Sequence, residues 1–502
     1  MTQFYNAYLN LPNHFYRAVK PQPMLEADLV HCNQPLAHQL GLNFSAQQWL
    51  DITCGVAFPD GWTPIAQKYT GHQFGYYNPQ LGDGRGVLLG QVNDAHDQAW
   101  DVHLKGSGQT PFSRQGDGRA VLRSAVREYL IGEALHALGV PTTRCLALCH
   151  GLENVRRDGL EPRATYLRVA KTHIRFGHFE WLAQQNDVVS FKALANYVIQ
   201  TVYPDLATLP EPERYAQLLN TIVSRTAQMI ALWQKVGFCH GVMNTDNMSV
   251  AGETFDFGPY AFLDDCQLHY VCNHSDTQGR YAYSQQPSMG LWNCQVLISA
   301  FAHVISEADA QHAAELYINT YNQAYLSGLC AKLGLANSLP QDKHFVADTL
   351  ILLEQSSLDF HVFFNKLVYF NVEQRHCQSN PFTEFVGDSQ AWQQWATRYQ
   401  ARLALEHANQ EAAQNNLLHT ALNPTQFETQ RVALINTNTP QLVLRNYIAQ
   451  EIIEAAQRKD YAPLTQWVHA LREPFSVCDA LKAYSAPPSQ KGQKGLALSC
   501  SS

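Results

Sequence analysis

Residues 239–265 read CHGVMNTDNMSVAGETFDFGPYAFLDD, and this stretch holds the densest chemistry in the chain. His240 and Asn247 stand seven positions apart, and Asp256 opens an Asp-Phe-Gly triplet after the turn expected around Gly252. An amide oxygen and a carboxylate are hard ligands that suit Mg²⁺ or Mn²⁺, ions that keep several waters and complete their shells with phosphate oxygens. The expected ligand is therefore a phosphorylated small molecule, with Asn247 and Asp256 as its metal-holding partners.

Upstream, LGDGRG puts Gly82, Gly84 and Gly86 on alternate positions ahead of a strand, where backbone N–H groups can approach phosphate without interference from a Cβ. A plain hairpin turn has the same composition, so the loop gains meaning only from its neighbours. Arg85 lies inside it, and Lys105 ends the next apolar run in HLKGSG. A strand lysine beside phosphates needs a counter-charge, and Glu128 in SAVREYLIGEALHAL is the natural candidate. This is the lysine–glutamate arrangement of protein kinases, lengthened here by the insert GSGQTPFSRQGDGR, which repeats the glycine theme with Asp117, Gly118 and Arg119. Kinases place a catalytic Asp two residues after the histidine. This chain has Val242 there, and its nearest carboxylate is Asp246. Further cations stand at Arg168, Lys171 and Arg175 in YLRVAKTHIRFGHFE, a segment whose β-branched start argues against a single helix.

These residues need rigid carriers. VLLGQV and AWDVHLK, from Val87 to Leu104, read as two strands of a hairpin. Residues 124–138 have helical spacing in Val126, Leu130, Ala134 and Leu138, and Gly139 is a stop. Glu128 shares a side of that helix with Ile131 and Leu135 and so needs a partner. Residues 216–236 form a long amphipathic helix that ends at Gly237, immediately before the expected catalytic loop. A strand, the turn around Gly252 and a second strand are expected between Asn247 and Asp256. Apolar periodicity over 291–370 predicts a mostly helical lower lobe, and SAPPSQKGQKGLALSCSS has no periodicity and reads as a mobile tail.

With 502 residues, 46% hydrophobic and 11% aromatic, the chain can bury a large core. A net charge of -8 leaves no general basic field for nucleic acid, so anion binding must come from local cations. The amino terminus has no signal-peptide pattern and no run of about eighteen apolar residues occurs, so a soluble, cytoplasmic protein without a membrane partner is expected. Twelve cysteines without a C-x-x-C pair suggest neither structural zinc nor a disulfide framework, and Cys145 and Cys149 read as buried thiols.

The strings AQKYTGHQFGYYNPQLGDGRGVLLG, HLKGSGQTPFSRQGDGRAVLRSAVREYL, YLRVAKTHIRFGHFE, HGVMNTDNM and FDFGPYAFLDD together resemble the selenoprotein O family, from about residue 10 to the final Cys-Ser-Ser. The resemblance implies an α+β, protein-kinase-like two-lobed fold: a mixed N-lobe over 1–190, a helical C-lobe over 191–485 and a flexible tail over 486–502. It also implies ATP bound in inverted orientation and transfer of AMP to Ser, Thr or Tyr of proteins. Carried over by position, Gly82, Gly84, Arg85, Lys105, Asp117, Gly118, Arg168, Arg175 and Asp256 contact nucleotide, Asn247 and Asp256 hold the metal, and Asp246 takes the proton. Cys500 stands where the family often has selenocysteine, and the family's redox control suggests a reversible disulfide with Cys272. A tail of fourteen residues spans about 20 Å, enough to reach a cleft. A kinase, a uridylyltransferase using UTP with Mn²⁺, and a non-catalytic nucleotide-binding regulator remain the competing readings. Val242 counts against the first, and the joint presence of Asp246, Asn247 and Asp256 against the last.

Overall fold

The computed structural model describes residues 3–157, 159–370, 380–418, 423–488 and 493–496. Its amino-terminal part is built on an antiparallel sheet of β1 (Tyr16–Ala18), β2 (Ala27–Cys32), β3 (Ile65–Gln67), β6 (Gly86–Asn93), β7 (Ala99–Lys105), β8 (Ala120–Val121), β9 (Arg144–Arg156) and β10 (Leu160–Ala170), while β4 (Gly71–Gln73) and β5 (Tyr76–Asn78) make a separate hairpin. The strand order is β1-β3-β6-β7-β10-β9-β2, with β8 pairing off β10. Because side chains alternate along a strand, Val87, Leu89, Val102, Leu104, Leu167 and Val169 all fall on one face, where α1 (Gln34–Gln39) and α2 (Ala46–Thr53) cover them. The same alternation sends His103, Lys105, Tyr166 and Arg168 to the opposite face. The register pairs Lys105 with Tyr166 and His103 with Arg168 across neighbouring strands.

On that second face lies α3 (Leu122–Ala137), which begins two residues earlier than the spacing predicts and is buried over most of its surface. The carboxy-terminal part is helical: α4 (Phe176–Gln184), α5 (Val188–Val202), α6 (Glu213–Lys235), α7 (Gln286–Phe301) and α8 (Glu307–Lys332) are followed by further helices as far as Leu471. α5 spans both sides of position 190. A continuous apolar core joins the parts, running from Leu130 and Ile131 of α3 to Leu219 and Ile222 of α6 and Ile448 beyond. This sheet-rich first part and helical second part form the α+β, kinase-like arrangement. Cys145 and Cys149 are buried on β9, and no described helix is long and apolar enough to cross a membrane.

Two expectations fail. No strand-turn-strand ladder forms between Asn247 and Asp256, although the turn at Gly252 does, with φ 69°. The backbone there is engaged elsewhere: Ser249 bridges to Arg175, Thr254 bridges to Thr142, and Val250 N–H donates to Ile174 O at 3.1 Å. The tail is also not loose throughout. Gly495 N–H donates to Asp264 at 2.9 Å, Lys494 pairs with Asp265 at 2.7 Å and Asn446 donates to Leu496 O at 2.7 Å, so residues 493–496 are docked just beyond the Asp-Phe-Gly segment.

Candidate functional site

Strand alternation on β7 and β10 and the inward side of α3 bring three charges to one point. Lys105 Nζ lies 3.0 Å from Glu128 Oε2 and 3.0 Å from Asp256 Oδ1. Arg168 Nη1 reaches Glu128 at 3.1 Å and Asp256 at 2.6 Å, and Tyr166 donates its hydroxyl to Glu128 at 2.6 Å. Arg175, the residue just before α4, donates to Asp256 Oδ2 at 2.6 Å and to Asp246 O at 2.8 Å, with its guanidinium over the rings of Tyr69 and Phe255. Three cations thus face two carboxylates in a cluster buried except at Asp256, whose side chain is 19% exposed, which leaves an excess of one positive charge where water screens it weakly. Burial pushes the Asp256 carboxyl up, but Lys105, Arg175 and Arg168 outweigh it and hold it well below the ordinary carboxylate range. Asp256 takes φ 58°, a left-handed conformation that Asp tolerates better than most residues and that turns its carboxylate toward the cations.

Below this cluster runs the loop after α6. His240 stacks on Trp233 and bonds Phe255 O through Nε2 at 3.1 Å, tying the loop to the residue before Asp256. Asn247 donates Nδ2 to Val242 O at 3.1 Å, closing the loop and leaving its Oδ1 uncommitted. Asp246 is 7% exposed; its Oδ2 accepts from Gln73 at 3.0 Å, and its buried Oδ1 has no partner among the described residues. Burial, only partly opposed by Arg175 and Gln73, pushes this carboxyl up to about 7.

Both glycine loops border the same cavity of about 820 Å³, and the insert folds back over the first loop. Thr110 donates to Asp83 O at 2.6 Å, Ser113 donates to Gly84 O, and Phe112 packs so closely that a Cβ on Gly82 would lie 2.5 Å from its ring. Gly118, with φ 68°, would place a Cβ 2.0 Å from Gly108 O, so only glycine fits the close approach of the two halves of the insert. Arg85 lines the cavity without an ion-pair partner among the described residues. Asp117 lines it too, with its carboxylate clamped by Arg157 at 2.9 and 3.0 Å. Seven arginines and one lysine line the cavity against four aspartates, a local positive field in an acidic protein.

The structure therefore brings Gly82, Gly84, Arg85, Lys105, Asp117, Gly118, Arg168, Arg175, Asp246, Asn247 and Asp256 around one cavity, with Glu128 behind Lys105. Lys171 does not line it. Cys272 is 1% exposed with its sulfur 3.5 Å from that of Cys239, and Cys500 lies outside the described residues. Sequence reasoning missed Tyr166 and Gln73. Tyr166 was accessible, since it stands two residues from Arg168 and so on the same strand face. Gln73 meets Asp246 across 173 residues, a contact no local pattern encodes.

No group of three or more His, Cys, Asp or Glu side chains forms a metal cluster among the described residues. The donors present still fit a hard cation. The Asn247 Oδ1 has no hydrogen bond among the described residues, and Asp256 Oδ2 accepts from Arg175 alone, which leaves it a lone pair. Both are oxygens, the set that Mg²⁺ and Mn²⁺ prefer when phosphate supplies the rest.

A family model described as "Protein adenylyltransferase SelO" matches residues 1–472. The protein nucleotidyltransferase YdiU of Hydrogenovibrio crunogenus is 48% identical over 502 residues, covering 99% of each chain. The proteins of the same name from Myxococcus xanthus and Photobacterium profundum are 41% and 40% identical over 503 and 520 residues, covering at least 98% of every chain compared. Each match takes in the glycine loops, the ion cluster and the Asp-Phe-Gly segment.

Proposed function

Because the chain belongs to the SelO family of protein adenylyltransferases and is a nucleotidyltransferase, we propose that it transfers AMP from ATP to Ser, Thr or Tyr hydroxyls of proteins and releases pyrophosphate. One observation carries this reading: Val242 occupies the kinase base position, while the only buried carboxylate with an orphaned oxygen in the loop is that of Asp246, beside Arg175 and the cation cluster.

In this reading the β- and γ-phosphates lie deep, against Lys105, Arg168 and Arg175, with Arg85 and the glycine-loop amides around them. The α-phosphorus then faces Asp246. An acceptor hydroxyl forms its O–P bond at that phosphorus, the bond from the α-phosphorus to the bridging oxygen breaks, and the proton passes to the orphaned Oδ1 of Asp246. Charge developing on pyrophosphate falls on preorganised cations in a site shielded from water, where each contact is worth more than in solvent. Glu128 and Tyr166 hold Lys105 and Arg168 in place. Asn247 and Asp256 are the side chains that would hold Mg²⁺ or Mn²⁺, which when bound neutralises phosphate charge. γ-Phosphoryl transfer would need the γ-phosphorus at the acceptor, with no carboxylate at position 242 to receive the proton.

The test is incubation with a protein acceptor and ATP labelled at either the α- or the γ-phosphate, with α-labelled UTP in parallel. Label retained from α-ATP alone is the expected result. Retention from γ-ATP would make the enzyme a kinase, and stronger labelling from UTP would make it a uridylyltransferase.

A further inference from the structure

The hairpin of β4 and β5 separates two cavities. Gln73 faces the nucleotide cavity and holds Asp246; beyond the turn, Phe74, Gly75 and Tyr76 line a second cavity of about 890 Å³ together with Asp276, Arg280 and Met289. Gln73 and Tyr76 are paired, and both residues between them have positive φ, 50° at Phe74 and 87° at Gly75. Such a turn normally takes Asn or Asp before Gly, and a bulky Phe persists in the left-handed region only when its surroundings enforce it. Here they do. Phe74 N–H donates to Asn244 Oδ1 at 3.2 Å and to Tyr281 OH at 3.1 Å, and His72 N–H donates to Thr245 at 2.7 Å. The hairpin tip is thus bolted to the three residues that lead into and include Asp246, while Tyr76 is 82% exposed.

The second cavity holds one arginine that no carboxylate pairs with among the described residues. Arg280 lies 4.7 Å over the ring of Trp292, has no ion pair among the described residues, and its Nε is buried without a partner. Asp276 shares the cavity but makes no ion pair with it, its oxygens accepting instead from the backbone N–H groups of Arg280 and Tyr281 at 2.9 and 2.7 Å. Resting on the reading of Asp246 as proton acceptor, we propose that this cavity is the docking groove for the acceptor polypeptide. Its occupant is an extended segment that places an apolar side chain against Tyr76 and Phe74 and a carboxylate on Arg280. The Arg280 guanidinium lies 3.4 Å from where a Cβ on Gly75 would stand, inside the turn closed by Gln73 and Tyr76 with Cα atoms within about 7 Å, and an extended chain advances about 3.3 Å per residue. The carboxylate therefore belongs two or three residues from the acceptor hydroxyl.

The test uses the full chain and fluorescein-labelled peptides with a central Ser, neighbouring Leu residues and either Asp or Lys at the second and third positions on both sides. Anisotropy titration without nucleotide is expected to show the Asp peptide binding roughly tenfold more tightly than the Lys peptide. Tyr76→Ala and Arg280→Gln should each weaken the Asp peptide by about tenfold, Arg280→Glu should reverse the preference, and ATP binding should be unchanged in all three. Tyr76→Ala alters only an exposed side chain, so the result does not hinge on whether the Arg280 variants fold. Equal binding of the two peptides, no binding of either, or wild-type affinity in Tyr76→Ala would overturn the groove. Retained peptide preference with no α-label transfer by the wild-type chain would strike the adenylyltransferase reading and leave the groove standing.

Discussion

Asp256 accepts from Lys105, Arg168 and Arg175 at once, so its loss alters the resting protein as well as the chemistry. Asp256→Ala leaves Lys105 and Arg168 to share Glu128, and leaves Arg175 with no ion pair among the described residues, and removing one partner of a buried ion pair costs about 3–5 kcal/mol. The expected outcome is a fall in transfer of at least roughly 100-fold, with a lowered Tm that pyrophosphate partly restores by replacing the missing anion. Activity above about a tenth of wild type would remove Asp256 from the mechanism. Lys105→Ala should raise the KM for ATP and lower kcat, whereas Val242→Asp should leave γ-label transfer negligible, because nucleotide orientation decides which phosphorus meets the acceptor. Strong γ-labelling by that variant is the result that sinks the inverted-nucleotide argument. Lys105, Glu128, Asn247 and Asp256 were legible in the sequence because their chemistry depends on residue type and spacing. Gln73 was not, since its amide matters only through the partner that the tertiary fold supplies.

The two glycine loops act as one element, because Phe112 and Ser113 of the insert clamp Gly82 and Gly84 of the first loop. Adding a methyl group at each glycine should therefore weaken ATP binding in a defined order. Gly118→Ala, strained at φ 68° and meeting backbone at 2.0 Å, should be worst; Gly82→Ala, at φ 140° and 2.5 Å from the Phe112 ring, should be intermediate because a side chain can shift; Gly84→Ala, whose Cβ would stand 3.0 Å from Phe112 O, should be mildest. Titration of the three variants with ATP gives the order directly, and a Gly118→Ala protein that binds like wild type would exclude the insert from the nucleotide site. Two apolar runs either side of a charged turn made β6 and β7 readable as a hairpin with Lys105 at the end of its second strand. The same reasoning invented a ladder between Asn247 and Asp256, because it could not see that Arg175 and Thr142 bind that backbone first.

Across the whole molecule, ionisable groups buried for structural reasons set the response to acid. Burial holds His103, His150, His173, His178, His240 and His361 below the ordinary histidine range, His178 at about 3. Burial pushes the carboxyls of Asp101, Asp246 and Glu253 up to about 7, and it raises that of Asp359 as well. The two sets act in opposite directions. A histidine with a depressed native pKa leaves stability intact above about 6.5 and removes it as pH falls toward the native value, since only the unfolded chain takes the proton. A carboxyl with a raised native pKa does the reverse, favouring the native state as pH falls from about 7 toward 4. With His31, held at about 4, and His136 also held low by burial, eight histidines outnumber four carboxyls among the described residues, so Tm should drop as pH falls from 7 to 5. Two variants separate the contributions. His361→Phe replaces a ring whose nitrogens are both buried without a side-chain hydrogen-bond partner and should flatten the decline. Glu253→Gln keeps an oxygen for the Lys171 N–H it accepts at 3.0 Å but cannot take up a proton, so it should steepen the decline. Thermal melts of the three proteins at pH 7, 6 and 5 decide the matter: parallel curves would mean that neither group titrates between the native and unfolded states in this range.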